Sequence, residues 1–188
     1  LPREKGAAPA PAFDVRPGLD VLAASGFAAL NPKRVALLTN PTGVTRDGRA
    51  ALSLLLSDKA KAAGVKVVRL FSPEHGAAAA LDEKVGDTVD AATGLAVVSL
   101  YGDKRRPDPK DLEGLDAGVV DLQDAGVRFY TYLTSMGYVM EECAKAKVAV
   151  VVLDRPNPIG GEAVEGPPAD PDRLSFVAVH TFPVRTGM

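Results

Sequence analysis

The stretch Val65–Gly76, VKVVRLFSPEHG, decides how the chain is organised. Its first seven residues, Val65–Phe71, form an apolar, β-branched run that is long enough for one buried strand. Pro73 ends this run, and Glu74 and His75 follow directly, where a strand gives way to a loop. In open α/β sheets, ligands bind at the carboxyl ends of the strands. The stretch therefore predicts a strand that carries an acid and an imidazole to a ligand site.

Strand-like and helix-like segments alternate along the rest of the chain. The predicted strands are Arg34–Thr39, Val65–Phe71, Leu95–Leu100, Gly118–Leu122 and Val148–Leu153. The last of these is a nearly continuous apolar run, which is typical of a strand covered on both faces. The predicted helices are Pro17–Leu30, with Gly26 as a candidate early end, one over 48–63 capped by Asp47, a short one near 109–114, and Tyr132–Lys147. Such alternation predicts an α/β fold with a mostly parallel sheet and helices on both faces.

Three other segments lack this pattern or show it weakly. Ala77–Gly94 predicts a long loop with at most one helical turn, and long loops beside strand ends are often functional. Phe176–Val179 predicts one further short strand. Residues 1–12 are rich in Ala and Pro and predict a flexible tether before a single domain over 13–188. Such a tether follows a removed signal peptide or lipid anchor, or is a plain disordered terminus; the first alternative predicts an exported protein.

The composition argues against several classes of function. The net charge of −2, without a basic stripe, argues against nucleic acid as a partner. No apolar run reaches the length of a membrane-spanning helix. One cysteine and two histidines leave little material for a metal site, and no glycine-rich phosphate loop follows the first strand. The sequence therefore predicts no metal, no cofactor, no nucleic-acid partner and no membrane span.

Polar residues follow every one of the five predicted strands. They are Asn40–Thr42, Ser72–His75, Tyr101, Gln123-Asp124 and Asp154–Asn157. All carboxyl ends of a parallel sheet lie on the same edge, so residues that are distant in sequence converge there on one cleft. This pattern predicts a ligand site at that edge.

Glu74 is the first residue to which the sequence assigns chemistry. A carboxyl group beside Pro73 and near Phe71 would be partly desolvated, which raises its pKa and suits a general acid. The alternative is a carboxylate that backbone N–H groups satisfy at a helix N-terminus. His75 either orients the substrate or Glu74, or is a loop histidine bonded to the backbone.

The segment from Leu122 to Tyr132, LQDAGVRFYTY, is dense in polar and aromatic groups. Such groups suit a sugar ring with carboxylate or acetamido substituents. Instead of binding a ligand, Asp124 and Arg128 could form an ion pair with each other that holds the loop. Arg155 could likewise pair with Asp154 or Asp124. If Tyr130 and Tyr132 lie on a helix, one lines the cleft while the other packs. The predicted substrate-binding residues are Asn40, His75, Tyr101, Gln123, Arg128, Tyr130, Arg155 and Asn157.

Five motifs together resemble the DUF1343 family, the exo-β-N-acetylmuramidases of the NamZ type. They are LLTNPTG (37–43), SPEHG (72–76), TGLAVVSLYG (93–102), DLQDAGVRFYTY (121–132) and LDRPNPIGG (153–161). The resemblance implies a Rossmann-like three-layer catalytic subdomain, with the active site in a cleft against a smaller C-terminal subdomain that this chain lacks. It also implies release of N-acetylmuramic acid from the non-reducing ends of peptidoglycan fragments, with Glu74 as the main catalytic candidate.

The mechanism stays open at this stage. Asp124 is the predicted second catalytic carboxylate, and a separation of about 5 Å from Glu74 indicates retention whereas roughly 6.5–9.5 Å indicates inversion. Alternatively the partner lies in the missing subdomain, or the substrate's acetamido group assists while Asp124 orients it. A different class of function is a non-catalytic module that binds cell-wall saccharides. The alanines at Ala77–Ala80, where the family has an aromatic-Arg-Gly segment, favour that alternative.

Overall fold

The computed structural model describes residues 15–74 and 86–187, which contain a six-stranded sheet. The predicted tether at 1–12, His75 and the first part of the loop that starts at Ala77 lie outside these residues. The strands are β1 (Lys33–Thr39), β2 (Val65–Ser72), β3 (Thr88–Val89), β4 (Ala96–Ser99), β5 (Ala117–Asp121) and β6 (Ala149–Val152). Their order in the sheet is β3-β4-β2-β1-β5-β6.

Five of the six strands run parallel, and β3 alone is antiparallel to its neighbour β4. The mostly parallel sheet predicted from the sequence is therefore confirmed. The two-residue strand β3 lies where the sequence predicted loop. Both of its residues are exposed, so it has no alternation of buried and exposed positions that a sequence pattern would show.

Helices cover both faces of the sheet, as predicted. The helices are α1 (Gly18–Ala24), α2 (Ala51–Leu55), α3 (Asp58–Ala62), α4 (Pro109–Leu112) and α5 (Tyr132–Lys145). Val35 and Leu37 of β1 join one core with residues of α1, α2 and α3, whereas Ala36 and Leu38 join the opposite core with residues of α4 and α5. This split follows from the two-residue period of a strand, which sends successive side chains to opposite faces. Cys143 belongs to the α5 core, and burial raises the pKa of its thiol to about 11.

The single helix predicted over 48–63 is wrong. The chain forms α2 and α3 instead, and the Ser57 hydroxyl between them caps α3 by accepting a hydrogen bond from the Ala60 N–H. Asp47 caps neither helix, because its carboxylate binds the Thr45 hydroxyl and the Arg49 guanidinium. The helix predicted from Pro17 ends at Ala24, just before Gly26, whose φ is positive and which the sequence indicates as a candidate early end.

Two predictions about strands are also wrong. β6 is an edge strand, and its Val152 is 44% exposed, so this apolar run is not covered on both faces. Phe176–Val179 is not a strand. Ser175 and Ala178 exchange backbone hydrogen bonds and close a turn there.

Helix α1 packs against the carboxyl end of β6 through Gly18. The Gly18 N–H donates to the Asp154 carbonyl at 2.7 Å. A Cβ atom at this position would lie 2.6 Å from the Asp154 nitrogen and from the Leu153 carbonyl carbon. Backbone atoms cannot rotate away as a side chain does, so only glycine permits this approach.

We predict that Gly18→Ala lowers the free energy of unfolding by about 1–3 kcal/mol, because the helix must move away from β6. Gly137→Ala is the matched control, since a Cβ at Gly137 in α5 meets nothing within 4 Å. The control should raise stability by roughly 0.5–1 kcal/mol, the ordinary helix gain of alanine over glycine. Urea unfolding measures both variants, and an unchanged midpoint in Gly18→Ala would contradict the close approach.

Candidate active site

The register of the sheet brings the polar residues that follow the strands to one edge. Thr39 of β1 lies opposite Asp121 of β5, and Ser72 of β2 lies opposite Ser99 of β4. Glu74 and Tyr101 each come two residues after the second of these pairs, beyond the ends of neighbouring parallel strands. This arrangement agrees with the convergent edge that the sequence predicts.

Glu74 is half-buried at the end of β2 and meets the N-terminus of α5. The Thr131 hydroxyl donates to Glu74 Oε2 at 2.6 Å. Thr131 is the residue that precedes the first turn of α5. The structural alternative from the sequence, a carboxylate at a helix N-terminus, therefore matches the place, although the donor seen here is a side-chain hydroxyl rather than a backbone N–H.

Tyr132 lies near this carboxylate and packs against Tyr130. The rings of Tyr130 and Tyr132 meet edge to face, with 4.7 Å between their centroids. Burial raises the pKa of the Tyr132 hydroxyl to about 12, and both Tyr130 and the charge of Glu74 add to the rise. Tyr132 is therefore a neutral O–H group near the acid at physiological pH. The helical argument that separated the two rings does not apply, because α5 begins only at Tyr132.

Asn40 lies at the end of β1 and is only 5% exposed. Its Oδ1 accepts hydrogen bonds from the Thr42 N–H at 3.0 Å and from the Thr42 hydroxyl at 2.6 Å. Thr42 Oγ1 in turn accepts from the Gln123 N–H at 3.0 Å, which joins β1 to β5. The Asn40 side chain lies close enough to Tyr132 to oppose the rise in the tyrosine's pKa, but the contact falls outside hydrogen-bond geometry, so Nδ2 has no hydrogen-bond partner within the described chain. A buried donor without a partner is costly and uncommon.

Asp124 is a partly buried carboxyl group that also lacks a full set of partners. Its Oδ2 accepts from the Gly126 N–H at 2.7 Å, whereas Oδ1 is buried and unpartnered among residues 15–74 and 86–187. Burial raises the pKa of Asp124, although the Gly126 and Ala125 N–H groups oppose the rise. The alternative ion pair with Arg128 does not form. Arg128 Nη1 donates instead to the carbonyls of Pro167 at 2.9 Å and Phe182 at 2.5 Å.

Arg155 pairs with Asp121, a partner that the sequence analysis did not propose. Its Nε donates to Asp121 Oδ1 at 2.6 Å, and the two side chains are 7% and 0% exposed. Arg155 Nη2 also donates to the Val44 carbonyl at 2.8 Å. Desolvation raises the pKa of Asp121 and Arg155 opposes it. A buried acid in an apolar strand requires a cation beside it. The position of Asp121 in β5 was therefore the signal from which a buried ion pair could have been predicted.

A cavity of about 190 Å³ opens between α5 and the carboxyl ends of β5 and β6. Its walls are mostly apolar. Glu74 does not line it; Tyr132 lines it and also lies near Glu74, so it connects the two parts of the site. The lining residues are Val120, Leu122, Gln123, Asp124, Tyr132, Leu133, Met136, Val152, Leu153, Asp154, Arg155, Asn157 and Thr186.

Two amide side chains at the mouth of this cavity are held by the backbone. Gln123 Nε2 donates to the carbonyls of Asp124 at 2.9 Å and Pro156 at 3.0 Å. Asn157 Oδ1 accepts from the Ile159 N–H at 3.0 Å. Both predicted residues therefore reach the pocket in fixed orientations.

The sequence did not predict the contacts of three residues that shape the site. They are Thr42, Asp121 and Thr131. Thr131 follows an aromatic run and precedes a helix, and nothing in that local pattern points to a carboxylate 57 positions away. His75 lies outside the described residues.

The described part of the chain also lacks two kinds of feature. It holds no group of three His, Cys, Asp or Glu side chains arranged to bind a metal ion. None of its helices combines the length and the apolar character needed to cross a membrane.

The parallel sheet with helices on both faces is an α/β fold of the Rossmann-like class. The chain belongs to the family described as exo-beta-N-acetylmuramidase NamZ, N-terminal, which matches residues 35–188. It is 39% identical over 176 residues to the peptidoglycan beta-N-acetylmuramidase NamZ of Bacillus subtilis (strain 168). That alignment covers 93% of this chain and 42% of the relative.

Two crystal structures of DUF1343 family proteins from Bacteroides fragilis NCTC 9343 share the fold. One has a TM-score of 0.84 at 39% identity, and the match covers 92% of this chain and 43% of the relative. The other has a TM-score of 0.75 at 36% identity, with coverage of 94% and 44%. The chain thus spans less than half the length of the relatives that it matches.

We predict that Asp124→Asn stabilises the fold at neutral pH. The raised pKa means that the folded state holds the Asp124 proton more tightly than the unfolded chain does. This contribution is fully present below the unfolded value of 3.8 and is lost as pH rises through the folded pKa. The neutral amide keeps an acceptor for the Gly126 N–H without a buried charge. Urea unfolding at pH 7 and at pH 3 checks this, and a loss of stability at pH 7 would contradict it.

Proposed function

We propose that this chain is the acid-bearing part of an exo-acting glycoside hydrolase that releases N-acetylmuramic acid from the non-reducing ends of peptidoglycan fragments. One observation carries the proposal. Glu74, in the SPEHG motif, stands at the carboxyl end of β2 with its carboxylate held by a hydroxyl group and with Tyr132 nearby. The relative with 39% identity is named as a peptidoglycan beta-N-acetylmuramidase, which supplies the substrate class.

Glu74 serves as the general acid in this proposal. Glycosidic cleavage needs a proton on the leaving oxygen while positive charge develops on the sugar ring. Glu74 is half-buried, and among the described residues its hydrogen-bond donor is a neutral hydroxyl rather than an ammonium or guanidinium group. The Thr131 hydroxyl orients the carboxyl group without placing a formal charge beside it.

The surrounding groups suit an acylated amino sugar. Tyr130 and Tyr132 offer apolar ring surface with hydroxyl groups, and Asn40 adds an amide near the Tyr132 hydroxyl. The cavity beside Tyr132 combines apolar walls with the polar side chains of Gln123 and Asp124, as a site for a small polar ligand with apolar substituents requires.

The other predicted binding residues take more specific parts in the proposal. Tyr101 follows β4, the parallel neighbour of the strand that Glu74 follows, so in this proposal it flanks the sugar. Asn157 contributes to the mouth of the cavity. Arg128 and Arg155 already bind protein carbonyls and Asp121, so they hold the loops of the binding edge in place and reach a substrate carboxylate only through their remaining N–H groups.

Asp124 is the second acidic group of the proposed mechanism. It acts either as the second carboxylate of a retaining or inverting reaction, or as the group that orients the substrate's acetamido substituent. The anomer released by the complete enzyme distinguishes inversion from the other two routes. A trapped glycosyl-enzyme at Asp124 would then distinguish direct attack from assistance by the substrate.

The proposal includes two further expectations. The relatives are more than twice as long as this chain, so we propose that a C-terminal subdomain completes the cleft at the Glu74 edge. Peptidoglycan lies outside the cytoplasmic membrane. We therefore propose that the protein is exported to the periplasm, secreted or anchored by a lipid.

A second candidate function is a non-catalytic module that binds cell-wall saccharides. The observation that favours it is that Glu74 is not among the residues that line the cavity beside Tyr132. A binding module needs such a pocket and no acid. Saccharide binding without release of reducing sugar by the complete protein would support this alternative.

We predict that Glu74→Gln in the full-length protein lowers turnover of a muramic acid glycoside by about 10²–10⁴-fold, the usual contribution of a general acid. Saccharide affinity should stay near that of the wild type, because glutamine keeps the shape and the acceptor for Thr131. The exposed Glu113, changed to Gln, is the control and should leave both quantities unchanged. Release of reducing sugar and calorimetric binding measure the two effects, and near-normal turnover of Glu74→Gln would refute the acid role.

A further inference from the structure

Thr131 immediately precedes α5, and its hydroxyl is directed at Glu74. Its backbone already has right-handed helical angles (φ −74°, ψ −8°), and its side chain makes no capping hydrogen bond to α5. The hydroxyl donates to Glu74 Oε2 at 2.6 Å. The side chain therefore binds the carboxylate and not the 14-residue helix that follows it.

The short loop before α5 fixes the direction of this hydroxyl. The Tyr130 N–H donates to the Val127 carbonyl at 3.0 Å, and the Ser135 N–H donates to the Thr131 carbonyl at 2.9 Å. The Tyr132 ring beside Thr131 is buried and packs against Tyr130. Thr131 is thus held on both sides by ordered backbone and aromatic packing. Its β-branched side chain adds further stiffness, because few χ1 rotamers are open to it.

We propose that Thr131 is a positioning residue for the acid Glu74, an inference that rests on the proposed hydrolase function. When Glu74 gives its proton to the glycosidic oxygen, the bond from that oxygen to the anomeric carbon breaks and the leaving group departs as a neutral alcohol. The anomeric carbon, which carries the developing positive charge, bonds to the attacking group: a carboxylate, a water molecule or the substrate's own acetamido oxygen. Glu74 becomes a carboxylate in the same step. The Thr131 hydrogen bond then gains the strength of a bond to a charged acceptor, so it favours the transition state over the ground state.

The choice of leaving group tests this role directly. A phenyl glycoside needs protonation of its leaving oxygen, whereas a dinitrophenyl glycoside departs without a proton. A defect in the placement of the acid therefore slows the first substrate and spares the second. A general loosening of the cleft slows both.

In the full-length protein, Thr131→Val removes the hydroxyl but keeps the shape of the side chain. We expect kcat for the phenyl glycoside to fall about tenfold, as for the loss of one charge-assisted hydrogen bond, with KM unchanged. The rate on the dinitrophenyl glycoside should stay at the wild-type level. Thr131→Ser, which retains the hydroxyl, should restore most of kcat. Thr131→Ala carries the same test if the valine variant does not fold.

The matched control is Thr93→Val. Thr93 Oγ1 also donates to a carboxylate, Asp90 Oδ2, at 2.5 Å, but in an exposed turn. This variant should behave like the wild type on both substrates. Wild-type rates in Thr131→Val, or equal losses on both substrates that serine does not rescue, would overturn the inference. If Glu74→Gln itself shows no dependence on the leaving group, the proposed acid role fails. If Glu74→Gln shows that dependence and Thr131→Val does not, the positioning role of Thr131 fails while the acid role of Glu74 stands.

Discussion

The shape of the binding edge depends on one buried ion pair. Asp121 ends β5 with a fully buried carboxylate, and Arg155, three residues beyond β6, neutralises it at 2.6 Å. A second N–H of the same guanidinium binds the Val44 carbonyl in the loop after β1. One cation therefore ties together the chain at the ends of three strands. Removing either partner would leave a buried charge unpaired, which is far more costly than losing a surface ion pair.

Within this frame, two neutral hydroxyl groups of the described chain lie close to the proposed acid. Thr131 donates to Glu74, and Tyr132 stays protonated because burial and its neighbours raise its pKa to about 12. Asn40 is held through Thr42, and its Nδ2 makes no hydrogen bond within the described chain. Buried polar groups without partners lower stability, and such groups concentrate at functional sites. Asp124 likewise has one buried oxygen, Oδ1, without a hydrogen-bond partner in the described chain.

The sequence predicted the strands and their order of occurrence better than it predicted the contacts between side chains. Hydrophobic runs report burial, so the five parallel strands and their polar ends could be located from the sequence. Periodicity does not report a break such as Ser57, where a local cap outweighs a continuous apolar stripe. Nor does it report pairings between distant residues: Arg155 was assigned to nearby or loop acids, whereas its partner Asp121 lies inside a strand. The bond from Thr131 to Glu74 depends on the whole topology of the sheet and has no local signature.

The acid role of Glu74 requires that its carboxyl group meet the glycosidic oxygen at the carboxyl edge of this sheet. The most direct test is a crystal structure of full-length Glu74→Gln with a bound saccharide that carries N-acetylmuramic acid at its non-reducing end. We expect the glycosidic oxygen within hydrogen-bond distance of the substituted amide at position 74, with the Thr131 hydroxyl still on the side-chain oxygen and the sugar against Tyr130 and Tyr132. A saccharide seated elsewhere, with no atom of the glycosidic bond near position 74, would contradict the acid role.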